Sequence, residues 1–438
     1  MWYSLTMKMR RILLIVTIII TLLFTGQVQV FGATDEPDVH GDSVILMNLE
    51  NGDVLYEKNA HQVRDPASVT KILTLMIVLD TLEMDQEVTV PDNVDGSGTT
   101  IHLIPGEKMT VRNLIYGMML KSGNDAAQVL ALEAGGSIEH FAEMMNDRAK
   151  ECGAHDTKYK NPSGLNPDAV NNVTTAYDQA LIMGAAMKDE RFREIVSTAR
   201  YTIPATNKSD ERVLRNSNFC LWVTSRKRTI NGQKMTIKYD GCTGGKTGHS
   251  STAGYCFVGT AKRDNMELAA VTLGAPNFYD RFTDPMKLWE YGFNHYKTYT
   301  AAAGGEVLTS QKVSRGSLAE VDIGTGEDVD ITVSKDYDAE HNISTSINLN
   351  EKTLTAPIQK GEVLGTLEVY DENGEQIAES DLIALEEVKE GGILSHIGIA
   401  DEDAGVFMLL ALSLAIILGL IILIIVRLRR GKTEQGPN

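Results

Sequence analysis

Apolar positions recur along this chain with two periods, and the change of period divides it. From about Asp42 to Lys297, short alternating runs stand at the edges and longer helical runs lie between them. Ser43 to Asn48 reads as a strand, Asn51-Gly52-Asp53 as a turn, and Val54 to Glu57 as the returning strand of a hairpin. Thr252 to Lys262 and Glu267 to Gly274, on either side of Arg263-Asp264-Asn265, predict a second antiparallel pair. In the middle, apolar residues at helical spacing predict helices over Val69 to Leu82, Val111 to Leu120, Asp125 to Ala134 and Ile138 to Glu151. After Ala301-Ala302-Ala303-Gly304-Gly305 the period shortens, and Glu306 to Val388 shows alternation with no helical pattern. Its clearest strands are Val329 to Val333, Ile343 to Leu349 and Val363 to Tyr370, with Asn373-Gly374 as a tight turn. The pattern therefore predicts an α/β (α+β) domain over residues 33–298, a small all-β domain over 306–388 and a stalk over 389–404.

The two ends follow neither period. Residues 1–32 carry Lys8, Arg10 and Arg11, then the apolar run Ile12 to Phe24, then small residues near Ala33, the layout of a cleaved secretory signal peptide. Gly405 to Val426 holds no charge and is long enough to span a bilayer as a helix over residues 405–426. Asp401, Glu402 and Asp403 precede it, and Arg427, Arg429, Arg430 and Lys432 follow. The positive-inside rule thus puts the tail, residues 427–438, in the cytoplasm and everything between the two apolar segments outside.

Composition then narrows the chemistry. A formal net charge of -18 over 438 residues argues against a nucleic-acid partner, which would need clustered cations on the folded part. Cys152, Cys220, Cys242 and Cys256 are too few and too scattered for a disulfide scaffold, and none shows metal-ligand spacing. A Cys220–Cys242 disulfide and free buried thiols both stay open. No metal and no cofactor is called for.

Three short motifs carry the candidate chemistry. Asp65-Pro66-Ala67-Ser68-Val69-Thr70-Lys71 starts a helix, and the three-residue spacing sets Lys71 one turn beyond Ser68 on the same face. A serine needs a neighbour to take its proton, and a lysine desolvated near other cations is neutral enough to do so. On its own this spacing also fits an N-capping serine followed by a surface lysine. Lys121-Ser122-Gly123-Asn124-Asp125 lies between two predicted helices and can present Ser122 and Asn124 to one cleft, although the same residues suit a plain capping turn. Gly244-Gly245-Lys246-Thr247-Gly248-His249 lets a substrate backbone approach, with Lys246 and Thr247 for a terminal carboxylate and the N–H groups of Ser68 and His249 for an oxyanion. A phosphate loop is the competing reading, but the full spacing is missing and the segment opens a hairpin.

S-x-x-K, then S-x-N, then K-T-G is the trio of penicillin-binding proteins and serine β-lactamases. Asp65-Pro66-Ala67-Ser68, Lys121-Ser122-Gly123-Asn124-Asp125-Ala126-Ala127, Asn161-Pro162-Ser163-Gly164-Leu165 and Lys246-Thr247-Gly248-His249 resemble the low-molecular-mass D-Ala-D-Ala carboxypeptidases. The resemblance implies a penicillin-recognising serine-hydrolase (β-lactamase/transpeptidase-like) domain, a small β-rich domain and a C-terminal membrane attachment, here a transmembrane helix. It further implies Ser68 as the acylated nucleophile, Lys71 as general base, Ser122 and Asn124 as the second catalytic element, and Lys246, Thr247, Gly248 and His249 lining the substrate. Arg281 stands where the family keeps an arginine for the terminal carboxylate. Asp178 resembles a family position near the site and equally suits a helix N-terminal acid. Partners implied are peptidoglycan stem peptides, β-lactams as inhibitors and the lipid bilayer of a bacterial cell membrane.

The chain departs from relatives at Ser163, where several carry histidine, and in spanning the bilayer where some use an amphipathic helix. Rival readings are an endopeptidase or transpeptidase with the same serine, a β-lactamase, which lacks a candidate deacylating glutamate here, and a non-catalytic β-lactam sensor or wall-binding scaffold. The short cytoplasmic tail weighs against the sensor.

Overall fold

The structure is a computed structural model that describes residues 36–94, 96–165 and 172–433. The expected signal peptide over residues 1–32 lies outside the described residues, as do residues 434–438 of the tail. Two compact units emerge: one runs to Thr298 and includes Thr332–Tyr337, the other holds Tyr299–Ile331 and the chain from Asp338 onward.

The first unit is built on a five-stranded antiparallel sheet. Its strands are β1 (Ser43–Asn48), β2 (Val54–Lys58), β3 (Cys242–Ser250), β4 (Gly254–Arg263) and β5 (Met266–Ala275), in the order β2-β1-β5-β4-β3. The two hairpins predicted from alternation are thus sewn together through β1 and β5, with Ser43 opposite Leu273 and Asn48 opposite Leu268. Strict alternation explains why every residue of β1 is buried: Ile45 and Met47 point into one apolar cluster, Val44 and Leu46 into the other. Each such side chain taken from water contributes about 1.5–3 kcal/mol.

One face of the sheet is covered by helix α7 (Asp280–His295), which brings Phe282, Met286 and Trp289 against Phe257 and Leu268. The other face and the space beyond it are filled by α1 (Lys71–Thr81), α2 (Val111–Leu120), α3 (Asn124–Gly135), α4 (Ile138–Glu151), α5 (Ala176–Ala186) and α6 (Glu190–Ser197). The starts of these helices follow their caps. Thr110, Ser137 and Thr175 each accept a hydrogen bond from the backbone N–H three residues on, which satisfies a donor the helix cannot. Short hairpins that the apolar pattern did not single out, such as Arg200–Ile203 with Arg212–Arg215, lie between the helices and β3.

The second unit carries the sheet of strands β6 (Thr309–Ser314), β7 (Glu320–Thr325), β8 (Ser344–Leu349), β9 (Val363–Tyr370) and β10 (Gln376–Ala384), ordered β8-β9-β10-β7-β6, with Leu354–Thr355 parallel to β6 at the edge. Gly374, at φ 77°, closes the β9–β10 turn. The region expected to lack helix holds the single turn Ala339–Asn342. Four residues cannot show a helical period, so the pattern had no means of finding them. Beyond β10 come a 3₁₀ turn, Ile393–Ile397, and the long helix α8 (Asp401–Thr433). Within Asp401–Arg427 an 18-residue stretch reaches a mean hydropathy of 3.3 with no burial, and among the described residues this helix is long and apolar enough to cross a membrane.

Candidate active site

Ser68 sits in a 3₁₀ turn, Ala67–Thr70, that leads directly into α1, a tighter entry than the α-helix expected from Val69. Pro66 precedes it with its ring-fixed φ of -73°, and Ala67 takes a left-handed φ of 45° that turns the chain sharply before the serine. The Asp65 carboxylate holds this turn: Oδ1 accepts from Ala67 N–H at 2.8 Å and Oδ2 from the Thr252 hydroxyl at 2.7 Å. Gly248 of β3 passes against the same turn. A Cβ there would stand 2.9 Å from Pro66 O and 3.2 Å from Ser68 N, so only glycine lets the strand come this close to the serine.

Lys71 is fully buried and its Nζ meets three oxygens: Ser68 Oγ at 3.0 Å, Asn124 Oδ1 at 2.8 Å and the carbonyl of Ser163 at 2.5 Å. Burial pushes its pKa well below the ordinary lysine value, and the charge on Lys246 adds to the effect, against a smaller opposing pull from Asp125. The Ser163 carbonyl is aimed by its loop. Asn161 Oδ1 accepts from Ser163 N–H and Gly164 N–H, while buried Asn172 donates to Asn161 O and Thr70 Oγ1.

The second motif faces Lys71 from the α2–α3 corner. Ser122 takes a left-handed φ of 65°, a strain of order 1 kcal/mol for a residue with a Cβ, and this backbone turn separates Ser122 from Asn124. Asn124 opens α3 and is oriented from its other side, its Nδ2 donating to Ser97 O at 3.1 Å. Asp125 accepts from Ile101 and Leu103 N–H, which pins the 97–104 loop beside the site.

Lys246, also buried, donates to Ser122 Oγ at 3.0 Å and to Thr247 O at 2.8 Å. Burial, together with the charge of Arg281, lowers its pKa to about 7. Arg281 enters from α7, 7% exposed, and has no carboxylate partner among the described residues. Its Nη1 donates to Gly248 O at 3.3 Å, its Nε is buried with no partner, and the rings of Phe278, Phe282 and Tyr255 surround the guanidinium at 4.3, 4.9 and 5.3 Å. Burial lowers its pKa to about 10, which leaves it charged at neutral pH. A buried, unpaired cation with a free donor is prepared for an anion from outside. His249 stacks on Tyr255, centroids 4.2 Å apart, at the same end of β3.

Ser68, Lys71, Ser122, Asn124, Lys246, Thr247, Gly248, His249 and Arg281 are therefore brought to one region by the start of α1, the α2–α3 corner, β3 and α7. Asp178 stands apart from it: its carboxylate accepts from Asp156 N–H and Thr157 Oγ1 at the start of α5, with its pKa raised by burial. Two participants escaped the sequence reading. The Ser163 backbone carbonyl has no side-chain signature at all. Ser217 shares a 2.7 Å hydroxyl–hydroxyl hydrogen bond with Thr247 while its N–H donates to Leu120 O, so it ties the third motif to the end of α2, just before the second. It sits in an irregular polar segment, Asn216 to Asn218, that carries none of the three motifs.

A helical block and an antiparallel sheet that enclose a serine, two buried lysines and an unpaired arginine define the class: a penicillin-recognising serine hydrolase. Comparison with known proteins agrees. Residues 31–277 match the Peptidase S11 family, described as D-alanyl-D-alanine carboxypeptidase, and residues 296–390 match the C-terminal domain of penicillin-binding protein 5. The chain belongs to the D-alanyl-D-alanine carboxypeptidase family. It is 31% identical to D-alanyl-D-alanine carboxypeptidase DacF of Bacillus subtilis, over 83% of this chain and 90% of that one. With DacC of Escherichia coli it is 32% identical over 83% and 88%. Penicillin-binding protein 5 of Haemophilus influenzae superposes with a TM-score of 0.67 at 27% identity, covering 82% of this chain and all of that one. A Streptomyces DD-transpeptidase superposes at 0.52 with 32% identity, over 59% of this chain.

Proposed function

We propose that this enzyme removes the terminal D-alanine from peptidoglycan pentapeptide stems through an acyl-enzyme on Ser68, and that β-lactams acylate the same oxygen. One observation carries the reading: the hydrogen-bond inventory around Lys71. A neutral amine has two N–H groups and one lone pair. Asn124 Oδ1 and the Ser163 carbonyl are pure acceptors and engage the two N–H groups, so the lone pair is left facing the Ser68 hydroxyl at 3.0 Å.

The steps follow. Ser68 Oγ bonds to the carbonyl carbon between the last two D-alanines as its proton passes to Lys71. The charge on the attacked oxygen is held by the N–H groups of Ser68 and His249. The C–N bond then breaks, the proton taken up by Lys71 passes by way of Ser122 to the departing amine, and D-alanine leaves with Lys71 neutral again. Water adds to the ester carbon and gives its proton to Lys71; the bond from Ser68 Oγ to that carbon then breaks, Lys71 returns the proton to Ser68, and the shortened peptide is released. Arg281, Lys246 and the Thr247 hydroxyl hold the terminal carboxylate. Helix α8 anchors the enzyme in the bacterial membrane, with its basic end in the cytoplasm and the catalytic unit outside.

The similarity to a DD-transpeptidase keeps a second outcome in view, in which an amine and not water takes the acyl group. The full chain, given a pentapeptide ending in D-Ala-D-Ala and a glycine-ended acceptor peptide, is expected to release D-alanine with the tetrapeptide as chief product. A product dominated by the acceptor adduct would reassign the enzyme to transpeptidation, and penicillin labelling with no release would make it a sensor or scaffold.

Its pH profile has a worked sign. Lys71 serves as base only when neutral, so acylation rises with pH through its lowered pKa. Lys246 must keep its proton to hold the carboxylate, so affinity falls as pH passes about 7 in the free enzyme. kcat/KM is therefore expected to be bell-shaped with its alkaline limb near neutrality, while the limb of kcat lies higher because bound carboxylate restores the charge. Lys246→Arg, a permanent cation, should carry the alkaline limb of kcat/KM upward; an unmoved limb would clear Lys246 of this role.

A further inference from the structure

Between β10 and α8 the chain is short, shaped and held at both ends. Ser317 N–H donates to Lys389 O and Gly391 N–H to Arg315 O, each at 2.8 Å, which ties the approach to the all-β domain. The 3₁₀ turn Ile393–Ile397 follows. Ser395 Oγ donates to Gly392 O at 2.7 Å, and Gly398 leaves the turn at φ 91°. The first residues of α8 clamp the other side: Asp401 accepts from Gly392 N–H at 2.9 and 3.1 Å, and Glu402 Oε1 from Ala319 N–H at 2.7 Å. The turn is thus fixed against the membrane helix and the all-β domain together.

Two isoleucines on this turn face outward. Ile393 is 91% exposed, the highest value of any large apolar side chain among the described residues, and Ile397 is 71% exposed. A lone surface isoleucine is ordinary, but two on a held turn beside an apolar helix have a neighbour of matching chemistry. The apolar surface of α8 begins at Val406. At 1.5 Å per residue the level of Asp401 lies about 7–8 Å further along the axis. That is the headgroup layer at the edge of the hydrocarbon, where apolar side chains partition while carboxylates stay hydrated.

We infer that Ile393 and Ile397 insert into the bilayer surface as an apolar wedge and hold the all-β domain against the headgroups. The occupant is lipid because the turn that carries the two side chains is hydrogen-bonded to the first residue of α8, and lipid is what surrounds α8. The inference rests on α8 being the membrane anchor. With that anchor, the wedge supplies a second attachment point and restricts tilting about the helix.

The test uses the full chain in phosphatidylcholine vesicles whose acyl chains carry bromine at a shallow position. Three variants add one fluorophore each: Ile393→Trp on the turn, Leu414→Trp in α8 and Glu372→Trp on the β9–β10 turn. The emission added by Ile393→Trp is expected to be blue-shifted and quenched, as is that of Leu414→Trp, whereas Glu372→Trp emits as in water. Adding Ile397→Asp to Ile393→Trp should reduce the quenching. Quenching at 414 without quenching at 393 would overturn the wedge and keep the anchor, whether water or a protein covers the turn. Quenching at neither position would overturn both.

Discussion

Ser68→Ala is expected to abolish D-alanine release and covalent penicillin labelling together, with a fall in kcat on the order of a millionfold, the scale seen when a serine peptidase loses its nucleophile. The fold should survive. Ser68 is only half-buried, and Lys71 keeps its bonds to Asn124 Oδ1 and Ser163 O when the hydroxyl goes. The measurement is mass spectrometry of the protein after benzylpenicillin, alongside thermal unfolding. Retained labelling at wild-type unfolding temperature would move the nucleophile elsewhere, and the remaining assignments with it.

Lys71→Met is expected to lower kcat/KM by about 10²–10⁴-fold, the usual worth of a positioned base, with penicillin acylation slowed in parallel. Its effect on stability should be far smaller, because two contributions oppose. Losing the amine leaves Asn124 Oδ1 and the Ser163 carbonyl without a donor, at a cost on the order of 1–3 kcal/mol each if both stay dry. The same change removes an amine whose charged form burial disfavours, which returns stability, and more of it as the pH falls. A calorimetric shift of a few degrees beside a thousandfold loss of acylation would fit; collapse of the fold would mean that Lys71 serves the scaffold first.

Much of this was legible in the sequence, and the boundary falls at distance along the chain. Helices Val111–Leu120 and Ile138–Glu151 end where the apolar period ends, because caps and side chains within one turn decide them. In the all-β domain β8 and β9 coincide with alternating runs in the same way, whereas β6, β7 and β10 were not singled out. The motif residues were found because three motifs, each open to a plain capping or loop reading alone, occur in the order shared by penicillin-binding proteins and serine β-lactamases. The pairing of β1 with β5 was not legible, since no local pattern records which of two hairpins a strand will join. Lys71's third oxygen is a main-chain carbonyl and is carried by every residue type, so its role comes from loop shape alone. Ser217 meets Thr247 only because β3 and an irregular segment cross, and its neighbours along the chain say nothing of that.

The order of the catalytic sheet also sets when this enzyme can come into existence. β1 is among the first folded segments to be synthesised and β5 among the last of its unit, yet they lie side by side at the centre of the sheet, Ser43 against Leu273. Such high contact order delays closure, because the entropy of a very long loop must be met before the central pairing gives anything back. Until β5 is available, β1 and β2 form an isolated two-stranded ribbon, which is marginal in water. A chain leaving the ribosome therefore cannot close its catalytic sheet until β5 has been made. The strand that carries Lys246 can take its place beside Ser68 only after the whole unit has emerged.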